Sequence, residues 1–164
     1  MRIPPITVLF LAATMSSCVS TNAPAPSPAS DTDAVRQFMA RVATDITARG
    51  PVAWRDFFDD SSNFFMVSDG RLVFASGAAA REGIQGLSQV ITSIQLRWGA
   101  DLRIQPLAPG LAMVAVPWHE VRVDPAGRTI EDDGYFTGVA EYGPAGWRFR
   151  NAHWSVAAAS PAVP

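Results

Sequence analysis

Cysteine is nearly absent from this 164-residue chain, and histidine is scarce. The lone Cys18 cannot form a disulfide within the chain, so the folded part must be held together by its core. Two histidines, His119 and His153, are too few for a ligand cluster, and neither a metal nor a cofactor is expected. A G-x-S-x-G motif is also missing, which leaves no sequence support for a serine nucleophile.

An excess of charge of either sign is missing as well. The formal net charge is −2, and the basic residues are scattered along the chain. A protein that binds nucleic acid concentrates its basic side chains on one face. No nucleic-acid partner is therefore expected.

No apolar run at the amino terminus is long enough to span a bilayer as a permanent helix. Residues 6–15 follow Arg2 and have the length of a signal-peptide core. The tetrapeptide Met-Ser-Ser-Cys that ends at Cys18 resembles the bacterial lipobox, in which the cysteine is lipidated. We therefore expect a protein of the bacterial cell envelope, anchored to a membrane by lipid at Cys18 and facing the periplasm or the outside. An ordinary signal peptide followed by a chance cysteine is the alternative.

Composition divides the chain into four segments. Residues 1–17 form the predicted signal peptide, and residues 18–31 form a linker rich in Pro, Ala, Ser and Thr, which cannot bury enough surface to order itself. Residues 32–156 suffice for one domain and not for two. Residues 157–164 form a loose tail.

Hydrophobic periodicity predicts three helices followed mainly by strands. A first helix, capped by Asp31 or Thr32, carries an apolar stripe at helical spacing, and Gly50-Pro51 ends it and begins a short second helix. Two strands over residues 64–67 and 72–75 join at Asp69-Gly70, and a third helix covers residues 79–94. A four-stranded meander follows, with turns at 109–110, 124–127 and 143–146. The expected stripe of the first helix consists of Val35, Phe38, Met39, Val42 and Ile46.

This order of elements, with the segments FFMVSDGRLVF, GYFTGVAEYG and GWRFRNAHWS, resembles the nuclear transport factor two-like superfamily. That superfamily includes ketosteroid isomerases and SnoaL-like polyketide cyclases. The resemblance covers residues 32–156 and implies an α+β fold, a cone-shaped barrel in which three N-terminal helices pack on a curved, mostly antiparallel sheet around an internal pocket. It also implies a homodimer formed through the outer sheet face. The aspartate base, tyrosine and protonated acid of the ketosteroid isomerases have no matching positions here, so that activity is not expected.

Hairpin register predicts which side chains enter the pocket. A four-residue turn over residues 143–146 pairs Glu141 with Arg148 and, further along, Phe136 with His153. A turn with Gly127 in the left-handed conformation places Trp118 opposite Gly134, Glu120 opposite Asp132, and His119 opposite Asp133 on the outer face. His119, Tyr135 and Trp154 are expected on that outer face. The predicted pocket-lining residues are Trp54, Phe58, Trp98, Trp118, Phe136, Tyr142 and Asn151.

Two functions of different classes are compatible with these residues. In the first, the anchored domain binds a small, mostly apolar molecule or a partner protein in its pocket. In the second, it is a cofactor-free isomerase, dehydratase or cyclase that uses His153 as a base with Glu120 or Asp132. His153 could instead hydrogen-bond at the end of the sheet, and Asp132 belongs to an acidic cluster typical of a solvated strand edge. The first function is favoured because no acid–base set is specific.

Overall fold

A computed structural model describes residues 28–158, with side chains from Asp31 onward. Cys18, the predicted signal peptide and residues 159–164 lie outside the described residues. Between residues 28 and 158, no helix combines the length and the apolar character that crossing a bilayer requires.

The first helix, α1, spans Pro28–Arg49 and buries the predicted stripe. All five stripe residues are at most 1% exposed, which confirms the helical period read from the sequence. The helix begins within the segment that the sequence assigns to the linker. Asp31 is therefore not a cap: it lies inside the helix, buried, and its Oδ2 accepts a hydrogen bond from the Gly110 amide at 2.9 Å.

The second and third helices pack against each other, and the third helix also packs against the first two strands of the sheet. A 3₁₀ helix spans Pro51–Asp56 after Gly50, whose φ of 75° suits a residue without a side chain. Helix α2 spans Gly77–Val90, and the Ser76 side chain caps it by accepting from the Ala79 amide at 3.2 Å. The helix was expected to continue to Ile94. It ends earlier because the β-branched Ile91-Thr92 segment is extended and leads into a strand.

Within residues 28–158, seven strands form one curved, open sheet. The strands are Phe65–Ser68 (β1), Arg71–Phe74 (β2), Ser93–Trp98 (β3), Arg103–Ala108 (β4), Leu111–Val123 (β5), Thr129–Gly143 (β6) and Gly146–Val156 (β7). Its order is β2-β1-β7-β6-β5-β3, and β4 pairs with β5 beside β3. The pairing is antiparallel except between β1 and β7. The predicted α+β class is confirmed, but the sheet does not close into a barrel. The single strand expected around Leu96–Ile104 is instead two strands, β3 and β4, which both pair with the same edge of β5.

The core lies between the helices and the inner face of the sheet. Phe38 of α1 packs against Phe149 of β7, with ring centroids 4.8 Å apart, and Phe136 of β6 lies 4.9 Å from the same ring. Each of these three side chains is at most 1% exposed. Burying a side chain of this size stabilises a fold by roughly 1.5–3 kcal/mol, so this cluster joins the helical layer to the sheet.

The β5–β6 hairpin has the predicted register. Asp124 and Arg128 close the turn, with the Asp124 amide donating to the Arg128 carbonyl at 3.0 Å, and Gly127 has a φ of 80°. Trp118 lies opposite Gly134, and Glu120 lies opposite Asp132, as the turn chemistry predicted.

The β6–β7 hairpin departs from the prediction at one residue. Glu141 pairs with Arg148 and Ala140 with Phe149, as expected, but Val139 then pairs with Asn151, and Arg150 is left as a bulge. At this point β7 changes its other neighbour from the segment around Phe58 to strand β1. A one-residue bulge reverses the faces of every residue beyond it.

Candidate functional site

An apolar cavity of about 240 Å³ lies between the 3₁₀ helix, α2, the β1–β2 hairpin and the inner face of the sheet. Depressions of equal or larger volume lie at the β6–β7 turn, around His119 and beside His153, but, unlike the apolar cavity, none of these three is lined by residues of α2 or the 3₁₀ helix. This cavity combines apolar walls with a few converging polar groups, the usual form of a small-molecule site. Residues that line it from the different elements include Trp54, Phe74, Ile84, Ile94, Glu120 and Trp154.

The aromatic walls are positioned by the 3₁₀ helix and by β7. Trp54 and Phe58 stack with ring centroids 5.2 Å apart, and Trp154 meets Trp54 edge-on at 5.8 Å. Phe74 completes the wall on the β2 side, where α2 approaches it closely at Gly83: a Cβ on Gly83 would collide with the Phe74 ring. The absence of a side chain at Gly83 therefore permits α2 to close this side of the cavity.

The polar end of the cavity is built from neighbouring positions of β5 and β6. Glu120 is only 7% exposed, and its Oε1 lies 3.0 Å from Arg122 Nε. The distance is that of an ion pair, but the geometry is not that of a hydrogen bond, and Arg122 Nε has no hydrogen-bond partner within residues 28–158. The other end of the Arg122 guanidinium is in close contact with the Asp132 carboxylate. Alternation along β5 and the cross-strand pair with β6 bring these three side chains to one side of the sheet.

Burial gives Glu120 an unusual acidity. Removal from water raises the pKa of its carboxyl from 4.5 to about 7, the Arg122 charge opposes this rise, and the Asp132 charge adds to it. A carboxyl with a pKa near 7 exchanges its proton at neutral pH, so it can serve as an acid, a base or an anionic contact. Ser68 of β1 adds a hydroxyl to the lining.

The structure places three of the sequence-predicted site residues at this cavity. Trp54, Phe58 and Glu120 line it, and Asp132 lies behind it, in contact with Arg122. The predicted cross-strand pair of Glu120 and Asp132 is present, and Arg122 contacts both carboxylates.

Three other predicted lining aromatics do not line this cavity, and two of them, Trp98 and Trp118, line the depression around His119 instead. Trp118 stacks on Trp154 at 4.4 Å, and Phe136 lies 5.7 Å from the same ring, so Trp154 separates both of them from the cavity. Trp98 packs at 5.5 Å from Phe136 and donates its Nε1 proton to the Met39 carbonyl at 2.7 Å. These side chains support the wall rather than form it.

The predicted position of Tyr142 in the pocket is wrong. The residue has the expected register opposite Trp147, but it lies near the end of β6 next to the turn, and 61% of it is exposed. The register of Tyr142 was predicted correctly, but its side chain is exposed and does not line the cavity.

The predicted inward orientation of His153 and Asn151 is also wrong. The bulge at Arg150 turns His153 to the outer face, where it is exposed in a shallow groove beside Val67 and Met113. The Asn151 side chain accepts a hydrogen bond from the Val139 amide at 3.2 Å, directly beside the bulge. His153 is therefore not brought together with Glu120 or Asp132.

The same bulge brings Trp154 inward, although it was expected on the outer face. His119 does lie on the outer face opposite Asp133, as predicted, with 3.0 Å between His119 Nδ1 and Asp133 Oδ1. Its Nε2 lies 3.4 Å from a Glu131 oxygen. Both histidines thus lie away from the cavity.

Sequence reasoning missed Arg122 and Trp154 as site residues. Arg122 had a usable signal, because it follows Glu120 by two positions on a strand and so shares its face. Trp154 had no such signal, since its face depends on the bulge.

Across the described part of the chain, no group of three or more His, Cys, Asp and Glu residues is arranged to hold a metal ion.

Comparison of the sequence with protein-family models gave no match, and comparison with curated proteins gave no match either. Solved structures do resemble the chain. One is a nuclear transport factor 2-like (NTF2-like) superfamily protein from Salmonella enterica serovar Typhimurium, with a TM-score of 0.66 and 18% identity over 80% of this chain and 96% of that one.

Two further structures come from Novosphingobium aromaticivorans. A protein provisionally assigned as a scytalone dehydratase has a TM-score of 0.67 and 10% identity, over 78% of this chain and 85% of that one. A protein provisionally assigned as an aromatic ring hydroxylase has a TM-score of 0.69 and 14% identity, over 82% of this chain and 94% of that one. At such identities the likeness shows the fold, which is NTF2-like, and the different assignments show that this fold does not specify one reaction.

Proposed function

We propose that this chain, built on the NTF2-like fold, binds a small, mostly apolar molecule in the cavity beneath the β1–β2 hairpin and α2. The observation that carries the proposal is the cavity itself: aromatic and aliphatic walls converge on one buried carboxyl, that of Glu120. Walls of this kind favour an apolar body, and a single polar end orients it.

Native mass spectrometry of the purified full chain tests this proposal. We expect a bound small molecule that organic solvent releases. Leu87 of α2 lines the cavity and is 38% exposed, so Leu87→Trp places an indole where it obstructs the cavity. Leu107→Trp on β4 is the matched control, because Leu107 is exposed and does not line the cavity. Equal occupancy in both variants, or none in the wild-type chain, would contradict the proposal.

The second candidate function is a cofactor-free isomerase, dehydratase or cyclase. The observation that favours it is the pKa of Glu120, about 7, which suits a group that accepts and returns a proton at neutral pH. Because His153 lies on the outer face, Glu120 replaces it as the proposed base, with Arg122 and Asp132 beside it. Incubating the released molecule with the chain in deuterium oxide should then replace a carbon-bound hydrogen of that molecule with deuterium. The Glu120→Gln substitution should stop this exchange.

We further propose that the domain is held at a membrane of the bacterial cell envelope by lipid on Cys18. The support is the lipobox-like sequence that ends at this residue. Cys18→Ala should move the protein from the membrane fraction to the soluble fraction. A variant that remains with membranes as the wild type does would contradict the anchor.

A further inference from the structure

The charges at the cavity do not balance. Among the described lining residues, the charged side chains are Glu120 and Arg122, and Asp132 adds a second carboxylate to the cluster. Every other element around the cavity contributes apolar side chains, apart from the Ser68 hydroxyl. When both carboxyls are ionised, the cluster therefore carries one net negative charge.

Glu120 is the less well paired of the two carboxylates. Arg122 is in close contact with Asp132, whereas it approaches only Oε1 of Glu120, at 3.0 Å and without hydrogen-bond geometry. Within residues 28–158, no other group donates to the Glu120 carboxylate. A buried carboxylate with incomplete pairing is costly, and a positively charged ligand group would supply the missing counter-charge.

The aromatic side chains suit the same kind of ligand group. Trp54 and Phe58 stack on one side, and Trp154 stands at 87° to Trp54. Aromatic faces attract ammonium groups through the negative charge of their π-electrons, and tryptophan does so most strongly. Proteins recognise alkylated ammonium groups by surrounding them with aromatic faces, and a neighbouring carboxylate adds a counter-charge.

We propose that the cavity recognises a small organic cation, an amine or quaternary ammonium on an apolar body, with its charge between Glu120 and the rings of Trp54 and Trp154. This inference rests on the proposed binding function and names the chemical class of the ligand. At about 240 Å³ the cavity is smaller than the 300–1,000 Å³ typical of drug-sized ligands, so it takes a body of about one ring.

The affinity for such a cation depends on pH through Glu120. The groups that face this carboxyl are Arg122 and Asp132, and the other lining side chains do not titrate. With a pKa of about 7, Glu120 is mostly protonated at pH 6 and mostly ionised at pH 8. A permanently charged ligand should therefore bind about tenfold more tightly at pH 8 than at pH 6.

Three single-ring probes test the inference by calorimetry on the full chain. Benzyltrimethylammonium carries a fixed positive charge, neopentylbenzene is its uncharged carbon isostere, and phenylacetate carries a negative charge. We expect the cation to bind more tightly than the isostere at pH 8 and to lose about tenfold in affinity at pH 6. Phenylacetate should bind weakest, since it meets Glu120 and Asp132.

The outcomes separate this inference from the function on which it rests. If the isostere binds as well as the cation, or phenylacetate binds best, the cation inference is wrong and the binding function stands. If none of the three probes binds and no molecule co-purifies with the chain, both are wrong. The pH comparison uses only the wild-type chain, so it does not depend on any variant folding.

A pair of variants assigns the charge effect to one carboxyl. Glu120→Gln should weaken benzyltrimethylammonium binding at pH 8 by about tenfold or more and abolish the pH dependence, with little effect on neopentylbenzene. Glu82→Gln is the control, because Glu82 is an exposed carboxylate of α2 that does not line the cavity. A pH dependence that persists in Glu120→Gln would overturn the assignment.

Discussion

Replacing Glu120 with glutamine removes one ionisable group from the interior and should change how the stability of the fold depends on pH. In the folded chain the Glu120 carboxyl has a pKa of about 7, whereas its ordinary value is 4.5. Between these two values the folded state holds a proton that the unfolded state has released. The free energy of unfolding that Glu120 contributes therefore falls as the pH rises from about 4.5 to about 7, and it is constant above that range.

The difference between the two pKa values corresponds to about 3 kcal/mol. Glutamine has nearly the same shape but cannot ionise, so Glu120→Gln avoids this loss. We expect the variant to gain about 3 kcal/mol relative to the wild-type chain between pH 4 and pH 8, most of it between pH 5 and pH 7. Any effect of the substitution that does not depend on pH, such as a changed contact with Arg122, is already present at pH 4. The difference measured at pH 4 is therefore subtracted from the differences measured at higher pH.

Urea unfolding of the two chains at pH 4, 6 and 8, followed by tryptophan fluorescence, measures these differences. Glu82→Gln is the control, because Glu82 is exposed and does not line the cavity. A constant offset for Glu120→Gln would contradict this prediction, since it would mean that burial does not alter the acidity of this carboxyl.

Other predictions follow from the orientation of β7 and from close packing. Trp154→Ala should cost about 3 kcal/mol and abolish ligand binding, whereas His153→Ala should change stability by less than about 0.5 kcal/mol in the same urea assay and leave binding intact. Gly134→Ala should cost about 1–3 kcal/mol, because the added methyl would collide with the Ser155 carbonyl and the Trp118 ring; an unchanged urea midpoint would contradict this. We also propose a homodimer through the outer sheet face, so Tyr135→Glu, at a 38% exposed position of that face, should yield monomers in solution scattering. A wild-type chain that is monomeric at high micromolar concentration would contradict the dimer.

Local signals in the sequence determined most of the fold. The stripe of α1, including Val35 and Ile46, follows from the 3.6-residue period. Gly127 specifies a turn, and that turn alone sets Glu120 opposite Asp132. These features depend on residues close together in the chain, and so they can be read without the tertiary structure.

The composition of the site was decided by contacts between distant parts of the chain. The bulge at Arg150 lies where β7 changes its partner from the segment around Phe58 to β1, some ninety residues earlier in the chain. Neither the turn at 143–146 nor the Glu141–Arg148 pair contains information about that change, and the bulge exchanges His153 for Trp154 at the cavity. The pKa of Glu120 likewise depends on its burial beneath α2 and the β1–β2 hairpin. Alternation along a regular strand can be read from the sequence, but the position of a bulge and the elements that cover a face depend on distant contacts, and these set which side chains reach the cavity.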